Sequence, residues 1–163
     1  MTRARIEEQH HKAFVDFLNK SMGQLPELAF FKHAKNEVSG SGPRVTRHDR
    51  KTGKLVSIPL EVLKAGQLGV RAGVWDFEYL GPNRASIGRE RQHGAGIYRG
   101  LAIEFKRPAT KKSSAGTLSA EQKIWREHYV RNGWRTEIFY HYVPACLYVV
   151  AWVGGNPDNY LFT

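Results

Sequence analysis

One cysteine, Cys146, in 163 residues excludes an internal disulfide and a cysteine-built zinc site. No apolar run approaches the roughly 20 residues of a membrane span. The first residues, MTRARIEEQHH, lack the apolar stretch of a signal peptide. A cytoplasmic protein with no membrane partner is the expectation. Two phosphate-binding signatures are missing as well. Gly40 and Gly42 are followed by no third glycine at dinucleotide spacing, and the TGK at 52–54 has no upstream P-loop glycine. There is no internal repeat. Acidic side chains are scarce, with 15 Asp and Glu against 25 Lys and Arg and a formal net charge of +10. That imbalance points to a polyanionic partner, nucleic acid first.

What remains is enough for one domain, residues 1–163, with a single core. The spacing predicts a helix over 4–20, with Glu7, Phe14, Phe17 and Leu18 on one face, ended by Gly23 and Pro26. Residues 27–34 read as a strand. Residues 36–54, rich in Gly, Ser and basic side chains, read as a mobile basic loop. A short helix is expected over 60–69 and a strand over 73–80. That strand sets Trp75, Phe77 and Tyr79 against Val74, Asp76, Glu78 and Leu80. A second basic connection, 81–100, leads to a strand over 101–106. Ser119 and Gly133 bracket a helix. Residues 134–143 and 146–153 read as strands, the latter holding an inert Cys146. The expected fold class is α/β with a central mixed sheet.

The stretch GLAIEFKRP (100–108) is apolar on one face through Leu101, Ile103 and Phe105. On the other it sets Glu104 beside Lys106. If the preceding strand is its neighbour, Asp76 and Glu104 meet at one end of the sheet. Two carboxylates with open positions suit Mg²⁺ or Mn²⁺. An ammonium two residues on can position a water or offset phosphate charge. That is a kit for metal-assisted phosphodiester hydrolysis. Glu78 is an alternative ligand to Asp76, and a plain salt bridge is the alternative for Glu104 and Lys106. Gln122 completes either the site or a capping box with Ser119. His10 and His11, being adjacent, cannot share a helix face and read as solvent-exposed. Trp125 and Tyr129 read as core. Arg84, Arg89, Arg91, His93 and Arg99 on the 81–100 connection read as contacts to DNA. His33 and Asn36 read as DNA contacts or neighbours of the site, and Lys111 and Lys112 as further basic contacts.

The ordered set RAGVWDFEYL, GLAIEFKRP and GTLSAEQKIWREHYVRNGW resembles the VRR-NUC branch of the PD-(D/E)xK nucleases, over most of residues 5–140. HAKNE (33–37) and EEQ (7–9) match in kind and order. The resemblance implies a restriction-endonuclease-like core, a central mixed sheet flanked by helices. It implies Asp76, Glu104 and the backbone carbonyl of Phe105 as metal ligands, Lys106 as the catalytic lysine, and Gln122 beside it. A first-helix glutamate, Glu7 or Glu8, would support the metal. Trp75 stands where the family usually has proline. The implied activity is Mg²⁺- or Mn²⁺-dependent DNA cleavage leaving a 3′-hydroxyl and a 5′-phosphate. A small stand-alone member resembles homodimeric junction-resolving enzymes, so branched DNA is the expected substrate. The alternatives are a restriction- or recombination-type nuclease on linear DNA, and a non-cleaving DNA-binding module.

Overall fold

The run Gly100–Phe105 becomes one of the two inner strands of a four-stranded sheet in a computed structural model of the chain. The structure describes residues 3–34, 43–49, 51–60, 73–84, 98–111 and 113–160. In chain order, helix α1 (Arg3–Ser21) leads through a 3₁₀ turn (Pro26–Phe30) to β1 (Phe31–His33). Strands β2 (Arg44–His48) and β3 (Leu55–Pro59) form a separate hairpin. Then come β4 (Phe77–Tyr79), β5 (Gly100–Phe105), α2 (Ala120–Arg131), β6 (Trp134–Phe139) and α3 (Tyr142–Trp152). The main sheet runs β1-β4-β5-β6. Its first two pairings are antiparallel, while β5 and β6 are parallel with α2 as their crossover. The fold is mixed α/β with a central mixed sheet flanked by helices.

Every residue of β5 is buried, because both faces of the sheet are covered. On one side Leu101, Ile103 and Phe105 join Phe77 and Tyr79 of β4, packed under Phe14 and Leu18 of α1 and Val149 and Trp152 of α3. On the other, Ala102 lies with Trp75 and Tyr129 of α2, edged by Leu118, Trp125, Trp134 and Ile138. Trp75 precedes β4 and packs on the α2 side, opposite Phe77, so the expected shared face of Trp75, Phe77 and Tyr79 holds only within the strand. The helix bounded by Ser119 and Gly133 forms as read. Ser119 accepts from the Gln122 backbone N–H, and Gly133 takes φ +78° just past the end.

Three readings are corrected. Residues 146–153 are not a strand but the body of α3. The run is apolar throughout, so periodicity could not separate strand from buried helix. The His141 side chain caps it by accepting from the Val143 N–H, and Pro144 sits in the first turn, where no helical donor is missed. The 36–54 loop contains order, because β2 pairs with β3 across an Asp49–Lys54 turn. Of 27–34, only Phe31–His33 is strand, since Pro26 starts a 3₁₀ turn. The helix read over 60–69 falls almost wholly outside the described residues. No described helix is long and apolar enough to cross a membrane.

Candidate active site

Strand β4 pairs with β5 only from Phe77 to Tyr79. One residue earlier it turns away, and the Asp76 carbonyl accepts from the Ala34 N–H at 2.8 Å. The ladder bonds missing on β5 are replaced by side chains. Asp76 Oδ2 accepts from the Phe105 N–H at 2.7 Å, and Glu104 Oε2 accepts from the Asp76 N–H at 3.3 Å. The two carboxylates are thus locked across a gap where the strands separate. Within an extended residue N–H and C=O point to the same side, so the Phe105 carbonyl shares the edge that Asp76 occupies.

Glu104 is 1 % exposed, and burying an ionised carboxylate requires partners. Its Oε1 accepts from Lys106 Nζ at 2.6 Å and from Gln122 Nε2. Burial above all, with the Asp76 charge added, pushes the Glu104 carboxyl up to about 7, against the opposing pull of Lys106. The two roles weighed for Gln122 turn out to coexist. Its Oε1 accepts from the Ser119 N–H at 3.0 Å in the capping box, while Nε2 reaches Glu104. Both partners fix the amide orientation, since the first can only donate and the second, when ionised, can only accept. The tryptophan before Asp76 also has a function. Trp75 Nε1 donates to the Gln122 carbonyl at 3.1 Å, tying the segment before Asp76 to the first turn of α2.

Against the expectation of solvent exposure, His11 turns into the site. Its Nε2 donates to Asp76 Oδ2 at 3.0 Å, and its ring packs on Phe77 and Phe105. Burial pulls its pKa down, but Asp76, Glu7 and Glu104 outweigh that and hold it above the ordinary histidine value. Glu7 stands one helical turn before His11 and is half-buried, whereas Glu8 is exposed, so Glu7 is the glutamate facing the site. That i, i+4 pair was the signal in the sequence for His11. His33, on β1 opposite Phe77, lies 6.0 Å from the His11 ring between centroids. Its pKa is lowered by burial and by His11, against Asp76. Glu78, the alternative to Asp76, faces Ala102 two residues up the strand, and its carboxylate accepts from the Tyr129 hydroxyl.

The basic residues divide by sheet end. Lys111 is exposed on the turn after β5, at the Asp76 end. Arg84 and Arg99 are at the other end, roughly 17 Å away along six residues of strand. Arg84 pairs with Glu27, and the Arg99 N–H donates to the Gly133 carbonyl. Neither stands beside the carboxylates, because the 81–100 connection joins the ends of β4 and β5 remote from Asp76. Asn36, Arg89, Arg91, His93 and Lys112 fall outside the described residues.

Among the described residues no group of three or more His, Cys, Asp and Glu could hold a metal ion. The donors present are two carboxylates and one carbonyl. Asp76 Oδ1 makes no hydrogen bond among the described residues. Such a set fits Mg²⁺, which is bound through one or two carboxylates and keeps several waters.

Gly73 controls how α2 meets the site. It takes φ +84°, and an added Cβ would fall 2.5 Å from Glu121 Cβ and 2.6 Å from the Glu121 carbonyl carbon. Gly73→Ala is expected to lower stability by about 1–3 kcal/mol from backbone strain alone and to push the first turn of α2 off Glu104. A thermal melt at the wild-type midpoint would show that the turn has slack.

No protein-family model matches the chain, and neither the curated proteins nor the solved structures hold a significant match.

Proposed function

We propose that this protein is a metal-dependent DNA endonuclease with a restriction-endonuclease-like core of the VRR-NUC type. One observation carries the reading. Lys106 and Gln122 converge on one oxygen of a fully buried carboxylate, with Asp76 locked beside it at the point where two strands part. A salt bridge serving stability alone would need neither the second carboxylate nor the break in the ladder.

Asp76, Glu104 and the Phe105 carbonyl would hold Mg²⁺ or Mn²⁺, which supplies Lewis-acid polarisation of the phosphate and a more acidic water. His11 and the Phe105 N–H occupy Asp76 Oδ2 and leave Oδ1 for the cation. Gln122 can only donate towards the reacting centre, because its carbonyl is committed to the cap. It therefore orients Glu104 rather than taking a proton. Lys106 is the mobile cation of the group. Its ammonium balances Glu104 in the resting protein and can turn to a water or to phosphate oxygens as charge develops. Attack in line with the 3′-oxygen breaks the P–O3′ bond and leaves a 3′-hydroxyl and a 5′-phosphate.

Branched DNA cut by a homodimer is the substrate and assembly proposed, since two symmetric cuts need two sites related by a two-fold axis. The test is cleavage of a synthetic four-way junction and of matched linear duplex in Mg²⁺. Wild type is expected to cut the junction faster, and Glu104→Ala to lose at least ~10³-fold on both. Faster cutting of the linear duplex would favour a restriction- or recombination-type enzyme. Equal activity of Glu104→Ala and wild type would refute the nuclease reading.

A further inference from the structure

Among the described residues the β2–β3 hairpin pairs with no other strand. It is inserted between β1 and β4, which are neighbours, so the chain leaves and re-enters the sheet at one place. That place is the site, where the Ala34 N–H meets the Asp76 carbonyl and Gly73 packs on the first turn of α2. An isolated two-stranded ribbon gains little stability by itself, which leaves its extended form to be explained by use.

Its two faces differ. Val45, Val56 and Ile58 alternate to one side, the last two half-buried, while Arg44, Thr46, His48, Leu55 and Ser57 all stand exposed on the other. Residues 43–60 carry five Lys and Arg against one acid, Asp49. The Asp49 carboxylate is turned into the hairpin end, where Oδ1 accepts from the Lys51 and Thr52 N–H groups at 2.9 and 2.7 Å. Arg44 braces the strands by donating from Nε to Ser57 Oγ at 3.0 Å. Lys51 and Lys54 project at the exposed turn and make no ion pair among the described residues. The ribbon is braced across its strands and basic at its tip, and it lies in the chain between the β1 and β4 ends that flank the carboxylates.

We infer that this hairpin is a duplex-DNA grip, a β-ribbon that holds the groove and phosphates of double-stranded DNA next to the scissile strand. The inference rests on the nuclease reading for its substrate. Two strands about 4.8 Å apart fit a major groove about 12 Å wide, which admits a β-ribbon. Single-stranded DNA is disfavoured, because 43–60 contains no Phe, Tyr or Trp on which bases could stack.

The test is Lys51→Glu/Lys54→Glu in the full chain, with a short fluorescent duplex in Ca²⁺ to block cutting. Affinity is expected to fall at least tenfold, and the log–log salt slope to become shallower by about 2 between about 50 and 200 mM salt. Lys51→Arg/Lys54→Arg should keep wild-type binding, which separates charge from folding. Hydrolysis of bis(p-nitrophenyl) phosphate in Mn²⁺ should be unchanged in both variants. Wild-type affinity and slope in the Glu variant would overturn the inference, as would equal loss in the Arg variant, or equal wild-type affinity for a single strand. If wild type hydrolyses neither DNA nor the small diester, the nuclease reading fails, while the duplex titration still decides the grip.

Discussion

Lys106→Met is expected to lower cleavage by orders of magnitude and to make folding stability strongly pH-dependent. The Lys106 side chain is itself 11 % exposed, and its Nζ is 2.6 Å from an oxygen of a carboxylate that is 1 % exposed. Removing one member of such a pair costs about 3–5 kcal/mol when the other stays charged. Glu104 has an escape, which is to take a proton. Its carboxyl is already raised to about 7 by burial and by Asp76, with Lys106 pulling the other way. Without Lys106 it moves higher. A carboxyl raised in the folded state stabilises fully below its unfolded value, and that contribution is lost as pH rises through the folded value. Lys106→Met should therefore melt close to wild type near pH 5 and well below it at pH 8. Cleavage in Mg²⁺ should drop by about 10²–10⁴, the range for a lost proton-handling group. Lys106→Arg is the control. It restores charge and stability, but a planar guanidinium cannot reproduce the ammonium at a water, so cleavage stays low. Parallel melting curves at both pH values would show that Lys106 does not neutralise Glu104.

The legible parts of the chain were those where two local signals agree. In α1 the apolar spacing and the Gly23–Pro26 stop coincide, and in α2 Ser119 and Gly133 mark both ends. The stretch 101–105 alternated visibly. The β2–β3 hairpin was missed because its strands carry arginines, and a basic, Gly- and Ser-rich segment looks like loop. The alternation of Val45 with Arg44 and Thr46, and the turn ending in Gly53, were nevertheless present. Helix α3 failed for the opposite reason, since nine apolar residues in succession offer no period to read.

At the site, Asp76, Glu104, Lys106 and Gln122 could be placed together because each lies on, or one residue outside, a strand or helix whose order constrains its neighbours. His11 could not, because the adjacency argument treats His10 and His11 as a pair. One of the two alone faces the sheet, and its partner is Asp76, 65 residues away. Arg84 and Arg99 show a further limit. Charge in a connection is legible, but which end of the sheet that connection occupies depends on strand direction, known only once the strands are paired.

Asp76→Asn is expected to separate catalysis from stability. The amide keeps an oxygen that can accept from the Phe105 N–H, so the lock between strands survives, while one anionic metal ligand is lost. Cleavage in Mg²⁺ should fall at least ~10³-fold. In metal-free buffer the same change should stabilise the protein at pH 8. The Asp76 charge is the second cause, after burial, that raises the Glu104 carboxyl. Removing it lets Glu104 ionise more easily in the folded state, and the stability lost above the unfolded carboxyl value is partly recovered. At pH 5 that gain shrinks, because Glu104, raised to about 7, is already protonated in folded wild type, and the loss of the Asp76 charge beside His11 lowers the histidine's raised pKa. That histidine contribution is present below its unfolded value and fades as pH rises through the folded one, so Asp76→Asn should be the less stable protein at pH 5. Mg²⁺ supplies the decisive comparison. A cation bound only by the folded state stabilises by about 2.7 kcal/mol at a hundred times its Kd. Wild type should gain that at pH 8, above the raised Glu104 value, and lose most of it at pH 5, below it. The Asn variant should gain little at either. If Mg²⁺ raises both melting temperatures equally, Asp76 is not a ligand and the carboxylate pair serves the fold alone. If the Asn variant is inactive, unresponsive to Mg²⁺ and more stable at pH 8, the wild type holds two like charges across the strand gap against its own stability, for a cation to neutralise.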